Sequence, residues 1–165
     1  MNRVIAIMSI MLSLAPVAVA RADVSTGDRD FVTKAAEAGL AEIAEARVAL
    51  KNSQRPDVQV FARRMIADHS KANEQLKSIA KSEGIEMPAA PSDQDLMRLK
   101  AMGALAGEEF DNAYIQQAVK DHDAAIELFT QESASGQNSQ LKSFASETLP
   151  TIKEHDAMAK SLPLH

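Results

Sequence analysis

The stretch GIEMPAAPSDQDLMRLKAMGALAG, residues 84–107, stands between two pairs of amphipathic segments, and its length decides how those pairs are joined. It holds Pro88 and Pro91, then a short helical segment that Ser92 can cap. A link this long can run from one end of a helical bundle to the other. The helix after it then lies parallel to the helix before it. An up-down bundle with a decorated loop is the alternative. The crossover is preferred because long structureless loops are uncommon in compact domains.

Apolar residues on either side recur at the helical period. A first helix starts near Asp30, with Val32, Ala36, Gly39, Ile43, Ala46 and Leu50 on one face. It ends at Ser53-Gln54-Arg55-Pro56, since the residue before proline is biased out of the helical region. A second opens at Asp57, carries Val58, Phe61, Met65, Ala72, Leu76 and Ile79 on one face, and stops at Gly84. A third begins near Gly107 with Ile115, Ala118, Val119, Ile126 and Phe129, and ends in SASGQNS. A fourth carries Leu141, Phe144, Ala145, Leu149, Ile152, Ala159 and Leu162, with Pro150 expected to kink it. Short links make each pair an antiparallel hairpin. Two hairpins and one long crossover are the ferritin-like arrangement of an all-α four-helix bundle.

The composition suits this fold. Hydrophobic residues are 45% of the 165-residue chain but aromatics only 4%, so Ala, Leu, Ile, Val and Met must fill the core. Cysteine is absent, which excludes disulfides, thiolate metal sites and a thiol nucleophile. Residues 1–22 have a basic Arg3, an apolar run and the small-residue endings Ala18-Val19-Ala20 and Ala20-Arg21-Ala22. That pattern is a secretory signal peptide; an uncleaved anchor is the alternative. Residues 23–165 then form one exported domain, expected in the periplasm and without stable membrane insertion. Cleavage removes two arginines, taking Lys+Arg from 18 to 16 against 23 acids and the net charge from −5 to −7. Nucleic acid and anionic lipid need basic patches, so neither is an expected partner.

The two hairpins are related. FARRMIADHSKANEQL from Phe61 aligns without gaps to YIQQAVKDHDAAIELF from Tyr114, matching Asp68-His69 to Asp121-His122. Together with FVTKAAEAGLAEI, GEEFDNAYIQQAVKDHDAAIELF and LKSFASETLPTIKEHDAMAKSL, these segments resemble the DUF4142 family, exported bacterial domains of unknown function. The resemblance runs from about Asp30 to Leu162 in the family's order. It implies a ferritin-like four-helix bundle and no particular activity.

Three of the four histidines follow an aliphatic residue, any residue and an acid: Ile66-Ala67-Asp68-His69, Val119-Lys120-Asp121-His122 and Ile152-Lys153-Glu154-His155. At about 100° per residue, His69, His122 and His155 fall inside the apolar arcs of their helices. The acids before them turn about 100° away and are expected as surface charges. His69 lies about four turns beyond the first hairpin's tip, and Glu42 a little over three turns before it. His122 and His155 are similarly placed about the second tip. One polar group per helix at one level is how bundle-core metal sites are made. Ala35, Ala38, Gly39 and Ala46 leave room around Glu42, which stands at the edge of its helix's apolar face.

Two readings of this layer stay open. In one, His69, His122, His155 and Glu42 bind a single divalent transition metal, with Zn, Fe, Mn or Cu all compatible with the donors and nearby Met65 and Met158 keeping copper in view. In the other, the histidines pack in a metal-free network with Glu42, Asn73, Thr148 and Thr151 as partners. A di-iron carboxylate centre is excluded, because Glu-x-x-His is needed and the residues three before each histidine are Ile66, Val119 and Ile152. Tyr114 is expected as a core residue, and His165 as disordered. No serine motif or phosphate loop offers other catalysis. The functional readings are a non-enzymatic envelope protein that binds metal, a metal-free interaction or stress-protection module that could form a homo-oligomer, and a mononuclear metalloenzyme.

Overall fold

A computed structural model describes residues 24–165 of the chain. The expected signal peptide, residues 1–22, lies outside them. Five helices and no strand occur among the described residues: α1 (Thr26–Asn52), α2 (Pro56–Glu83), α3 (Asp93–Gly103), α4 (Gly107–Ser135) and α5 (Ser139–Ser161). None is long and apolar enough to cross a membrane.

Local chemistry sets the ends. α1 starts at Thr26, a turn earlier than the sequence suggested, because Ser25 and Asp28 form a reciprocal capping box. Gly27 in that first turn hides the signal. α2 starts at Pro56, whose missing N–H and fixed φ suit the first helical position, and stops at Gly84, which takes a left-handed φ of 67°. The Ser92 hydroxyl accepts from the Asp95 N–H and caps α3 as expected. α5 runs through Pro150 without a break. At the C-terminus, Asn112 Oδ1 accepts the N–H of the exposed His165 at 3.1 Å.

The core shows the connectivity directly. One apolar cluster joins Phe31, Val32 and Ala36 from the start of α1 to Leu76 and Ala80 from the end of α2, Phe129 from the end of α4 and Leu141 and Phe144 from the start of α5. The other joins Ala46 and Ala49 from the end of α1 to Val58, Phe61 and Met65 from the start of α2, Phe110, Tyr114 and Ile115 from the start of α4, and Ala159 near the end of α5. So α2 and α4 run parallel while α1 and α5 oppose them. The chain between α2 and α4 therefore crosses from one end of the bundle to the other, leaving Ile85 and Met87 with the first cluster and placing Met102 in the second. This is the crossover topology.

α3 rides on the outside of α1 and α4. Asn52 Nδ2 donates to the carbonyls of Gly103 (3.3 Å) and Leu105 (3.1 Å), tying its end to the end of α1. Around the bundle the order is α1, α2, α5, α4, and the α2–α5 side is the loosest of the four.

Candidate metal centre

Between the two apolar clusters lies a polar layer with one residue from each long helix: Glu42, His69, His122 and His155. Helical spacing produces it. In α2, for example, Met65 belongs to one cluster and Ala72 and Leu76 to the other, and His69 falls midway on the same face. His122 and His155 are each 1% exposed and Glu42 5%. The ring centroids stand 5.7 Å (His69–His122), 5.3 Å (His69–His155) and 5.5 Å (His122–His155) apart, nearly an equilateral triangle. One nitrogen from each ring lies within 4.8 Å of the others.

Hydrogen bonding fixes the tautomers. The Ala118 carbonyl accepts from His122 Nδ1 at 2.7 Å, so Nε2 carries the lone pair in the neutral ring. His155 Nε2 donates to Asp68 Oδ2 at 2.9 Å, leaving the lone pair on Nδ1. Those two lone-pair nitrogens, His122 Nε2 and His155 Nδ1, are buried with no hydrogen-bond partner. His69 Nε2 and Glu42 Oε2 approach to 2.6 Å, an ion-pair distance, yet neither meets hydrogen-bond geometry. The same Glu42 oxygen is 3.9 Å from His122 Nε2.

Charge follows from these contacts. Burial alone would raise the Glu42 carboxyl, but His69, and then His122 and His155, hold it down at about 2. Burial works to lower His69, and Glu42 outweighs it and raises the ring. Burial lowers His155, helped by the other two histidines and opposed by Asp68, and the net direction is down. The layer thus offers a carboxylate paired with His69 beside two further imidazoles, His122 and His155, whose lone-pair nitrogens are buried without a partner.

All four residues singled out from the sequence meet. Asp68 does not behave as expected. Its place on the helical wheel predicts a surface charge, but it reaches across to α5, where it holds His155 and is itself gripped by Arg64. A helical wheel gives its angle but not the neighbour standing there. Asp121 is likewise drawn inward: Oδ1 accepts from Gln117 at 2.8 Å, and the buried Oδ2 stands 3.5 Å from the Arg98 guanidinium. Glu154 remains exposed. Ile66, Val119 and Ile152 pack in the apolar clusters, consistent with the absent di-iron motif. Tyr114 is a core residue, stacked on Phe110 at 6.1 Å.

Asn73 of α2 and Gly39 of α1 form a close pair that neither helix's periodicity reveals. Asn73 sits against Gly39, where a Cβ would come within 2.5 Å of its Oδ1, and its Nδ2 is buried without a partner. Only a glycine on the facing helix leaves that space.

No curated protein matches the chain. Solved structures do. A DUF305 fragment from Deinococcus radiodurans has a TM-score of 0.74 at 12% identity, over 84% of this chain and 96% of that one. A putative secreted DUF305 protein from Streptomyces coelicolor scores 0.68 at 10% identity, over 81% and 89%. CopM in the Cu(I)-bound form scores 0.68 at 16% identity, over 81% and 92%. At these identities the likeness establishes a shared helical fold. The sequence itself matches a family over residues 13–162, and the chain belongs to DUF4142, a domain of unknown function.

Proposed function

We propose that this protein is exported to the periplasm and binds one divalent transition metal ion in the bundle core, through His69, His122 and His155 with Glu42 as the anionic donor, without catalysing a reaction. The observation that carries this is the pair of buried lone-pair nitrogens, His122 Nε2 and His155 Nδ1, that accept from nothing. A packing network exists to satisfy such atoms, and an orphaned buried acceptor costs about 1–3 kcal/mol. A metal ion satisfies both at once. The partners on the far side of two rings, the Ala118 carbonyl and Asp68, are of the kind that orient metal-bound histidines.

The fit requires modest movement. Around a tetrahedral ion with metal–nitrogen bonds of about 2.0–2.1 Å, ligand nitrogens stand about 3.3 Å apart. To hold such an ion the imidazole nitrogens, now within 4.8 Å of one another, would have to draw closer together. Three nitrogens and an oxygen suit Zn²⁺ and Cu²⁺ best among the candidate ions. CopM, of similar fold, was solved with Cu(I), which brings copper into consideration as the element without bearing on its divalent state. Export rests on the signal-peptide pattern of residues 1–22, and the secreted neighbour supports it.

The deciding experiment is elemental analysis of mature, untagged protein recovered from the periplasm, beside His122→Ala. Near-stoichiometric metal in the parent, lost in the variant at unchanged helical content, is expected. A metal-free parent that also takes up none of Zn²⁺, Cu²⁺, Fe²⁺ or Mn²⁺ on dialysis would overturn the reading and favour the metal-free interaction module.

A further inference from the structure

Behind His69 and His155 lies a cavity of about 40 Å³, bounded by those two rings, Glu42, Asn73 and the apolar side chains of Leu76 and Phe129. His122 does not line it, so the space opens from one side of the histidine triangle only. One water needs about 10–15 Å³ on this measure, so the cavity takes two or three non-hydrogen atoms and nothing larger. Its walls are mostly apolar. Besides Glu42 and the two rings, its polar lining is Asp68, Thr148, Thr151 and Asn73, whose Nδ2 is a buried donor without a partner.

The cavity is not sealed. A surface groove of about 260 Å³ runs between α2 and α5, and the two spaces share Asp68, Ala72, Thr148 and Thr151 as a common wall. These are small side chains on the loosest side of the bundle. Pro150 stands in α5 between the two threonines and has no N–H to give to the carbonyl one turn back, so the helix is least braced there. Lys71 lines the outer part of the groove.

We propose, resting on the metal reading above, that the core ion keeps one coordination position for a small exogenous ligand, a hydroxide or an inorganic anion of two or three atoms. The ligand arrives through the α2–α5 groove and lies in the cavity with Asn73 Nδ2 donating to its far end. Glu42 and the three histidines fill the four tetrahedral positions, so the exogenous ligand takes a fifth position, reached by expansion of the ion to five-coordination. The apolar walls exclude larger and chelating molecules by size. Gly39 holds the amide in place by leaving room beside α1.

The test uses full-length mature protein loaded with Cu²⁺ and titrated with sodium azide, reading metal content by elemental analysis and the azide-to-copper charge-transfer band by absorbance. The parent should give a saturable band. Asn73→Leu should keep its metal and helical content while binding azide about tenfold more weakly, the loss expected for one hydrogen bond to a charged group. Ala72→Leu, which fills the shared wall, should slow the appearance of the band at unchanged metal content. Copper bound in the parent with no band at saturating azide would mean a closed shell, overturning this inference and leaving the metal reading intact. Azide affinity and rate unchanged in both variants would overturn it as well, because the ligand would then use another route. A parent that binds no copper or other ion overturns both.

Discussion

Glu132 shows how one residue's surroundings set a pH response. It lies near the end of α4, 5% exposed, folded beneath Gly136, where any Cβ would collide with its carboxyl. Burial raises this carboxyl, and the neighbouring Asp28 raises it further, to about 7. Asp28 itself is held low despite burial, because Ser25 and the N–H groups of Gln137 and Asn138 donate to it. Glu132 therefore carries a proton in the folded chain that it loses at about 4.5 when unfolded. A raised folded pKa gives stability that is complete below about 4.5 and lost as pH climbs through about 7. We expect Glu132→Gln to be more stable than the parent by about 1–2 kcal/mol at pH 8, after allowing for solvent screening at the bundle end, and about equal at pH 4.5. Urea unfolding at the two pH values checks this, and an equal offset at both would refute the protonation. The sequence showed the site's residues at this scale but not their partners. Three histidines on apolar faces were visible from periodicity alone. That Asp68 serves His155, and that Asn73 needs Gly39, depends on which helix stands beside which, and no single-helix wheel contains it.

At the scale of elements, one arginine links the crossover helix to both α1 and α4, beside the Asn52 and Met102 contacts at its end. Arg98 on α3 bonds Glu45 of α1 at 3.1 Å, Asp95 of its own helix at 2.9 Å and Asp121 of α4 at 3.5 Å. Glu45 is only 2% exposed. Burial raises its carboxyl, Asp121 adds to this, and Arg98 opposes both, leaving it at about 7. Removing Arg98 strands a buried carboxylate. Arg98→Met, which keeps the apolar stem, should cost about 2–3 kcal/mol at pH 8, somewhat less than a fully buried pair because Arg98 is itself partly exposed. The deficit should shrink at pH 5, where Glu45 is protonated with or without its partner. Denaturant midpoints at both pH values measure this. Hydrogen exchange should show the α3 amides losing protection before those of α1 or α4. A variant that matches the parent at pH 8 would mean that Met102 and Asn52, not charge, hold the crossover. Most of these elements were legible: Gly84, Ser92 and Pro56 each mark an end by known backbone chemistry. The start of α1 was not, because the capping acid Asp28 lies beyond a glycine that lowers local helix preference.

For the whole molecule, the length of residues 84–107 favoured the crossover over an up-down bundle with a decorated loop, since a link that traverses the bundle needs that many residues. What periodicity could not fix was rotation. Helical phase leaves tens of degrees free, and whether three imidazoles meet or miss is decided within that range by packing. In the folded bundle they meet, as a polar layer that interrupts what would otherwise be one continuous apolar core. Such a layer opposes stability unless something binds it. Buried ion pairs and imidazoles replaced together by apolar groups of similar volume are often neutral or favourable by about 1–4 kcal/mol. The combined variant Glu42→Met, His69→Leu, His122→Leu, His155→Leu should therefore melt no lower than the metal-free parent. The parent should respond to metal and the variant should not. At a free concentration a hundredfold above Kd, a bound ion adds about 2.7 kcal/mol, or about 10 °C in Tm for a domain of this size. Thermal melts of both proteins across a Zn²⁺ or Cu²⁺ titration separate the contributions. If the variant melts well below the metal-free parent, the four residues are a structural network. If it melts at or above the parent and ignores metal, the layer is kept for binding at the expense of stability, as functional sites commonly are.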